Sequence, residues 1–218
     1  MSNFFKTLVN STKKEKEALY SVAQIQDALK GDISLDTYIS YLTEAYHHVK
    51  HTTPLLMAVG SRVSFEKEFL RNAIAKYIDE ELGHQEWILN DIKNCGGDAK
   101  KVRNSRPKIA TELMIAYAYD SIMRKNPISF FGMVFVLEGT STALATNAAN
   151  SIKENLKLNK NCFSYLFSHG SLDLKHMDFF AKLINQINDE KDQADIIHMA
   201  KMMFHLFADV FRAIPHKR

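Results

Sequence analysis

The chain has 218 residues, 46% hydrophobic and 24% charged, a balance that predicts one domain over residues 1–218 with a sizeable core and excludes disordered, collagen-like and low-complexity proteins. Eight glycines and four prolines are too few for a strand-and-turn architecture, so an all-α fold is expected. A net charge of +3 from scattered basic residues is too weak a field for nucleic acid. Cys95 and Cys162 lack metal or redox spacing, and neither a signal peptide nor an apolar run of about 18 to 20 residues is evident, so a cytoplasmic protein that does not cross a membrane is expected.

The elements read as helices in chain order. Thr12-Lys13-Lys14-Glu15 resembles a capping box, opening a helix that Gly31 stops. Ser34 is placed to cap a second helix, from Leu35 to about Thr52, ahead of Thr53-Pro54 and a short helix to Gly60. Ser64 opens a long third segment running to Cys95-Gly96-Gly97, with Phe65, Phe69, Ala73, Tyr77 and their neighbours at three-to-four spacing. Asp98 caps one further turn, and Pro107 restarts the chain into a helix that Asn126-Pro127 breaks. From Ile128 to about Leu158 the sequence is apolar on all sides and then rich in small residues, the pattern of a central helix. Two amphipathic stretches follow, Phe163 to Ile187 and Glu190 to Ile214. The sum is a bundle of about seven or eight helices.

Helical bundles build metal sites from inward-facing carboxylates and histidines, and three places offer them. In the His-x3-Asp-x2-His run of His169, Asp173 and His176, the later two residues fall about 40° and 20° from the first on the helical wheel, so one face presents three ligands. Glu81 and His84 form a Glu-x-x-His pair. Glu138 is a lone carboxylate after an uncharged stretch from Ile128 to Leu137, and an ionised carboxylate there needs a cation, a proton or strong hydrogen bonds. Three carboxylates and three imidazoles suit two ferrous or manganous ions with coordination left open for O2.

Glu44, His48 and His51 share a face at i, i+4 and i+7, and are read as pocket-lining groups or supports for the ligands. Tyr41, Tyr77 and Glu80 are further candidates for the pocket or its support, and Trp87 is a candidate wall or electron relay. His198, His205 and Asp209 read as structural residues of the last helix. No glycine-rich phosphate loop or Gly-x-Ser-x-Gly nucleophile motif is present, and no catalytic side chain is assigned.

Phe131-Gly132-Met133-Val134-Phe135-Val136-Leu137-Glu138-Gly139-Thr140-Ser141 resembles the Val-Leu-Glu-Gly-Ser/Thr segment of the heme-oxygenase-like superfamily, which includes TenA-like proteins. Helix number and order are compatible with it over nearly the whole chain. Within it, Glu81, His84, Glu138, His169, Asp173 and His176 are similar to the metal set of the heme-oxygenase-like diiron oxidases and oxygenases, also described as iron-containing redox enzymes. The resemblance implies two irons per chain, O2 and an electron donor as partners, oxidation of an amine, amino acid or fatty acid, and a homodimer. Some members place the second-helix histidine farther from its glutamate, so Glu80, Glu81 and Glu44 compete for the bridging or terminal role. The alternatives are a heme oxygenase, a TenA-like hydrolase and a metal-free binding protein.

Overall fold

A computed structural model describes residues 3–216, the side chains of residues 170–176 excepted. Among the described residues there are twelve α-helices and no strand. The first three are short: α1 (Phe4–Ser11), α2 (Lys13–Tyr20) and α3 (Ala23–Lys30). Then come α4 (Leu35–Val49), α5 (Thr52–Gly60), α6 (Glu68–Glu81), α7 (His84–Asn94), α8 (Ala99–Arg103) and α9 (Ile109–Arg124). The long helices α10 (Phe131–Leu156), α11 (Ser164–Ile184) and α12 (Glu190–Arg212) complete the bundle.

The larger helix number arises from breaks inside segments expected to be continuous. Thr12 donates its hydroxyl back to the Leu8 carbonyl instead of capping α2, and the chain turns again at Val22, whose backbone is extended. The third expected helix breaks at Leu82-Gly83, where Gly83 takes φ +87°. Several expected caps do form. Ser34 Oγ accepts the Thr37 N–H, Asp98 accepts that of Lys101, and Gly31 closes α3 with φ +75°.

Pro127–Leu156, comprising a 3₁₀ turn and α10, is long and apolar enough to cross a membrane by length and composition, contrary to the expectation that no stretch reaches that length. Burial accounts for its composition. α10 packs on α11, α12 and α3, so its first half meets apolar neighbours on every side, and Phe131 through Val136 are all buried. Two apolar clusters flank it. One gathers the start of α10 with α5, α6, α9, the end of α11 and α12, and the other gathers the second half of α10 with α4, α7 and the start of α11.

Gly132 fixes how closely α10 and α12 approach. A Cβ there would lie 2.4 Å from the Ile196 carbonyl oxygen and 2.7 Å from the Ala200 nitrogen, both backbone atoms that no side-chain rotation can move. Gly132→Ala is therefore expected to lower stability by about 1–3 kcal/mol, the usual range for overpacking. Urea denaturation with an unchanged midpoint would contradict this packing.

Candidate metal centre

The polar groups of the centre lie in a band between the two apolar clusters, contributed by α4, α6, α7, α10 and α11. Glu81 ends α6 and His84 begins α7, so the Glu-x-x-His pair sits on two helices joined by the Leu82-Gly83 break, not on one helical face. The turn still closes the pair, with His84 Nδ1 3.0 Å from Glu81 Oε2 and both side chains buried. His169 enters from α11 and brings its ring 5.0 Å from that of His84. One ligand atom from each of Glu81, His84 and His169 lies within 4.8 Å of the other two. Glu138, from α10, lines a cavity of about 80 Å³ together with Glu81, His169, Tyr77 and His48. Asp173 and His176 belong to α11, but their side chains lie outside the described residues.

The face expected to join Glu44, His48 and His51 is cut short, because α4 ends at Val49 and His51 lies beyond it as the residue that precedes α5. The Glu44 carboxylate turns to α9, accepting the Lys108 N–H at 3.1 Å and the Thr111 hydroxyl at 2.5 Å, so its role is to dock α4 on α9. His51 Nδ1 meets the Tyr119 hydroxyl at 3.2 Å. Of the three, only His48 lines the cavities between the clusters. Its Nδ1 lies 3.1 Å from the Glu44 carbonyl oxygen, which can only accept, so Nδ1 carries the proton and Nε2 is left with a lone pair. Tyr77 lines the smaller cavity and Tyr41 the larger, whereas Glu80 is partly buried and faces Lys76 at 3.7 Å. Trp87, partly buried, stacks on His84 with 4.0 Å between ring centroids. His198, His205 and Asp209 are exposed.

Three contributors escape the sequence patterns. Asp91, fully buried on α7, accepts the backbone N–H and hydroxyl of Ser164 through Oδ1 and the Tyr165 N–H through Oδ2. It thereby pins the start of α11, five residues before His169. Burial pushes its pKa up, and those three hydrogen bonds pull the other way. Tyr165 lines both cavities with its ring 4.7 Å from that of His169, and Ser141 lines both as well. Nothing in the residues around Asp91 signals this role, because its partners lie more than 70 residues downstream.

A protein-family model described as iron-containing redox enzyme matches residues 39–208. The chain belongs to that family. The match runs from α4 to α12 and includes every residue expected above as a ligand. Solved structures with the same fold include a domain of unknown function with a heme oxygenase-like fold from Shewanella denitrificans OS217, 22% identical, with a TM-score of 0.86 over 96% of this chain and 91% of that one. A TenA homologue from Pseudomonas syringae pv. tomato DC3000 is 10% identical, with a TM-score of 0.79 over 97% and 92% of the two chains. Heme oxygenase-1 from the cyanobacterium Synechocystis sp. PCC 6803, solved in complex with heme, is 12% identical, with a TM-score of 0.78 over 96% and 91%. These likenesses establish a heme oxygenase-like fold. No curated protein matches the sequence.

The donors fit iron by chemistry as well as by family. Carboxylate oxygen and imidazole nitrogen are the ligands that non-heme iron takes, and burial of Glu81 and His84 leaves few waters to compete. His48 is held neutral, its pKa pushed down to about 4, mainly by burial. His47, fully buried beside it in sequence, is pushed down to about 4 by burial and by Lys50, whose ammonium lies 3.2 Å from Nδ1. In the unfolded chain both would titrate near the ordinary value of 6.5. The unfolded state thus binds more protons between about pH 6.5 and 4, and stability falls as pH drops through that interval. For the metal-free protein, urea midpoints are expected to decline from pH 7 to pH 4, with each histidine contributing up to about 1.4 kcal/mol per pH unit. His47→Gln should make the decline shallower, and an identical slope in that variant would contradict the assignment.

Proposed function

We propose that the protein is a non-heme diiron oxidoreductase that uses O2 to oxidise or oxygenate a small organic substrate. The observation that carries this reading is the convergence of Glu81, His84 and His169 within 4.8 Å, beside a cavity that Glu138 also lines. These four residues, with Asp173 and His176 one and two turns beyond His169 on α11, would hold the metal. Ferrous iron held by these residues would supply the electrons for reducing dioxygen, a chemistry that no side chain in this site provides.

The chain's own residues do the rest. Glu81 and His84 face each other with Oε2 3.0 Å from Nδ1, which sets their donor atoms side by side. Trp87 covers one face of His84 and fixes its plane. Asp91 sets the start of α11 and with it the position of His169. Leu55, Leu56, Phe130 and Met133 wall the smaller cavity and keep bulk water from the carboxylates. Both carboxylates of that cavity, buried Glu81 and partly buried Glu138, would favour a divalent cation over a neutral guest, because two carboxylates lining one small cavity repel unless a proton or a cation lies between them.

The test is an anaerobic Fe(II) titration of the metal-free protein, counting metal per chain and following the fluorescence of Trp87, the only tryptophan. Two irons per chain are expected, with quenching of Trp87 on loading and an absorbance change when O2 is admitted. Glu138→Ala and His169→Ala should each weaken iron binding by at least about tenfold. Unchanged iron content in both variants would remove the proposed cage, and a tight 1:1 complex with added heme in the absence of iron uptake would favour a heme protein instead.

A further inference from the structure

Next to the smaller cavity lies a second chamber of about 110 Å³, and His48, Leu137, Ser141, Tyr165 and His169 line both. Its far side is built by α3, α4, the second half of α10 and the end of α12, and nothing in the metal-binding argument uses it. Three properties of this chamber restrict what it can hold.

The first is charge. Among the described residues no Lys, Arg, Asp or Glu lines the chamber. A carboxylate or an ammonium placed there would surrender its hydration without gaining an opposite charge from a described lining side chain, a cost of several kcal/mol by general estimates. The amines, amino acids and fatty acids that the family resemblance implies each bring such a charge.

The second is shape. Aromatic rings follow one another along the wall. Tyr38 and Tyr41 stack at 6.4 Å and 19°, Tyr41 and Phe211 at 5.9 Å and 15°, and Phe211 meets Phe207 at 4.9 Å. Phe207 in turn presents its ring edge-on to His48 at 5.8 Å, so the row of π-faces ends at a residue that lines both cavities. Such surfaces favour a flat, apolar guest. Apolar cavities on the order of 150 Å³ take up benzene, which sets the scale at one ring or a short chain.

The third is a polar handle on the aromatic wall, distinct from the Thr140, Ser141 and His48 side chains that also line the chamber. Among the described residues the Tyr41 hydroxyl has no hydrogen-bond partner, and burial pushes its pKa up, so it stays a donor at neutral pH. A guest with an uncharged oxygen would answer it.

We propose that this chamber is the seat of the substrate, and that the substrate class is a small, uncharged, single-ring or short-chain molecule carrying a hydroxyl or carbonyl oxygen that accepts the Tyr41 hydroxyl. The assignment rests on the neighbouring cage being the reactive centre, since His169 belongs to both walls. It does not depend on metal for its test, because the chamber is formed by the chain alone.

The experiment compares four probes that share one ring, binding each to metal-free protein by calorimetry: benzyl alcohol, toluene, benzoate and benzylamine. Benzyl alcohol is expected to bind at least about tenfold more tightly than either charged analogue. Tyr41→Phe should weaken benzyl alcohol roughly three- to tenfold and leave toluene unchanged. Ala145→Leu, which adds a branched side chain to the chamber wall, should abolish binding of both neutral probes, with Ala148→Leu as a second filling variant should the first fail to fold. Benzoate or benzylamine binding as tightly as benzyl alcohol would overturn the class, as would binding that survives both filling variants, or no binding of any probe. Iron loading measured on the same preparation separates the two readings. Lost ring binding with intact iron uptake rejects the substrate class alone, and ring binding without iron uptake supports the chamber while rejecting the cage.

Discussion

The structure depends on enclosing a helix that is apolar on nearly every side and yet carries a carboxylate. α10 needs neighbours all round because Phe131 to Val136 leave no face suited to water, and the other long helices are arranged to supply them. Glu138 follows two residues later, at the point where the two apolar clusters meet. Glu81 and His169 line the same cavity as Glu138, where a partly desolvated charge is costly unless it has a partner. The polar band is thus a consequence of how the core closes as much as a separate device.

Close approach and desolvation support each other here. Gly132 lets the backbone of α12 come against α10, with the Ile196 carbonyl where a Cβ would otherwise be. That proximity brings Phe207 and Phe211 of α12 to the chamber wall, and Phe207 packs edge-on against His48. Burial then holds His48 neutral, and the Glu44 carbonyl decides which nitrogen keeps the proton. Gly132 and His48 thus both meet α12, the first at its Ile196 and Ala200 backbone and the second at the edge of Phe207.

Much of this was legible in the sequence because it rests on local rules. Helix periodicity, the caps at Ser34 and Asp98, the stop at Gly31 and the lone carboxylate at Glu138 are all short-range signals, and they led to an all-α bundle and to the set that includes Glu81, His84 and His169. What escaped depends on distant partners or on competition between local options. Asp91 looks like any helix-surface acid until Ser164 and Tyr165 arrive from far along the chain. Glu44 shares a helix face with His48, but Thr111 and the Lys108 amide claim its carboxylate. Thr12 has the composition of a cap, and its hydroxyl instead found the preceding turn's carbonyl.

The break at Leu82-Gly83 changes what ligation means for the fold. Had Glu81 and His84 shared one continuous helix, a cation between them would decorate a rigid rod. As it is, they terminate two rods joined by a glycine in left-handed geometry, with Leu82 61% exposed at the elbow. Were a cation held by both, as proposed, it would act as a splint across a joint, and the free energy of its binding would become rigidity of the angle between α6 and α7. Occupancy of the proposed centre and the set of that elbow would then be two readings of one equilibrium.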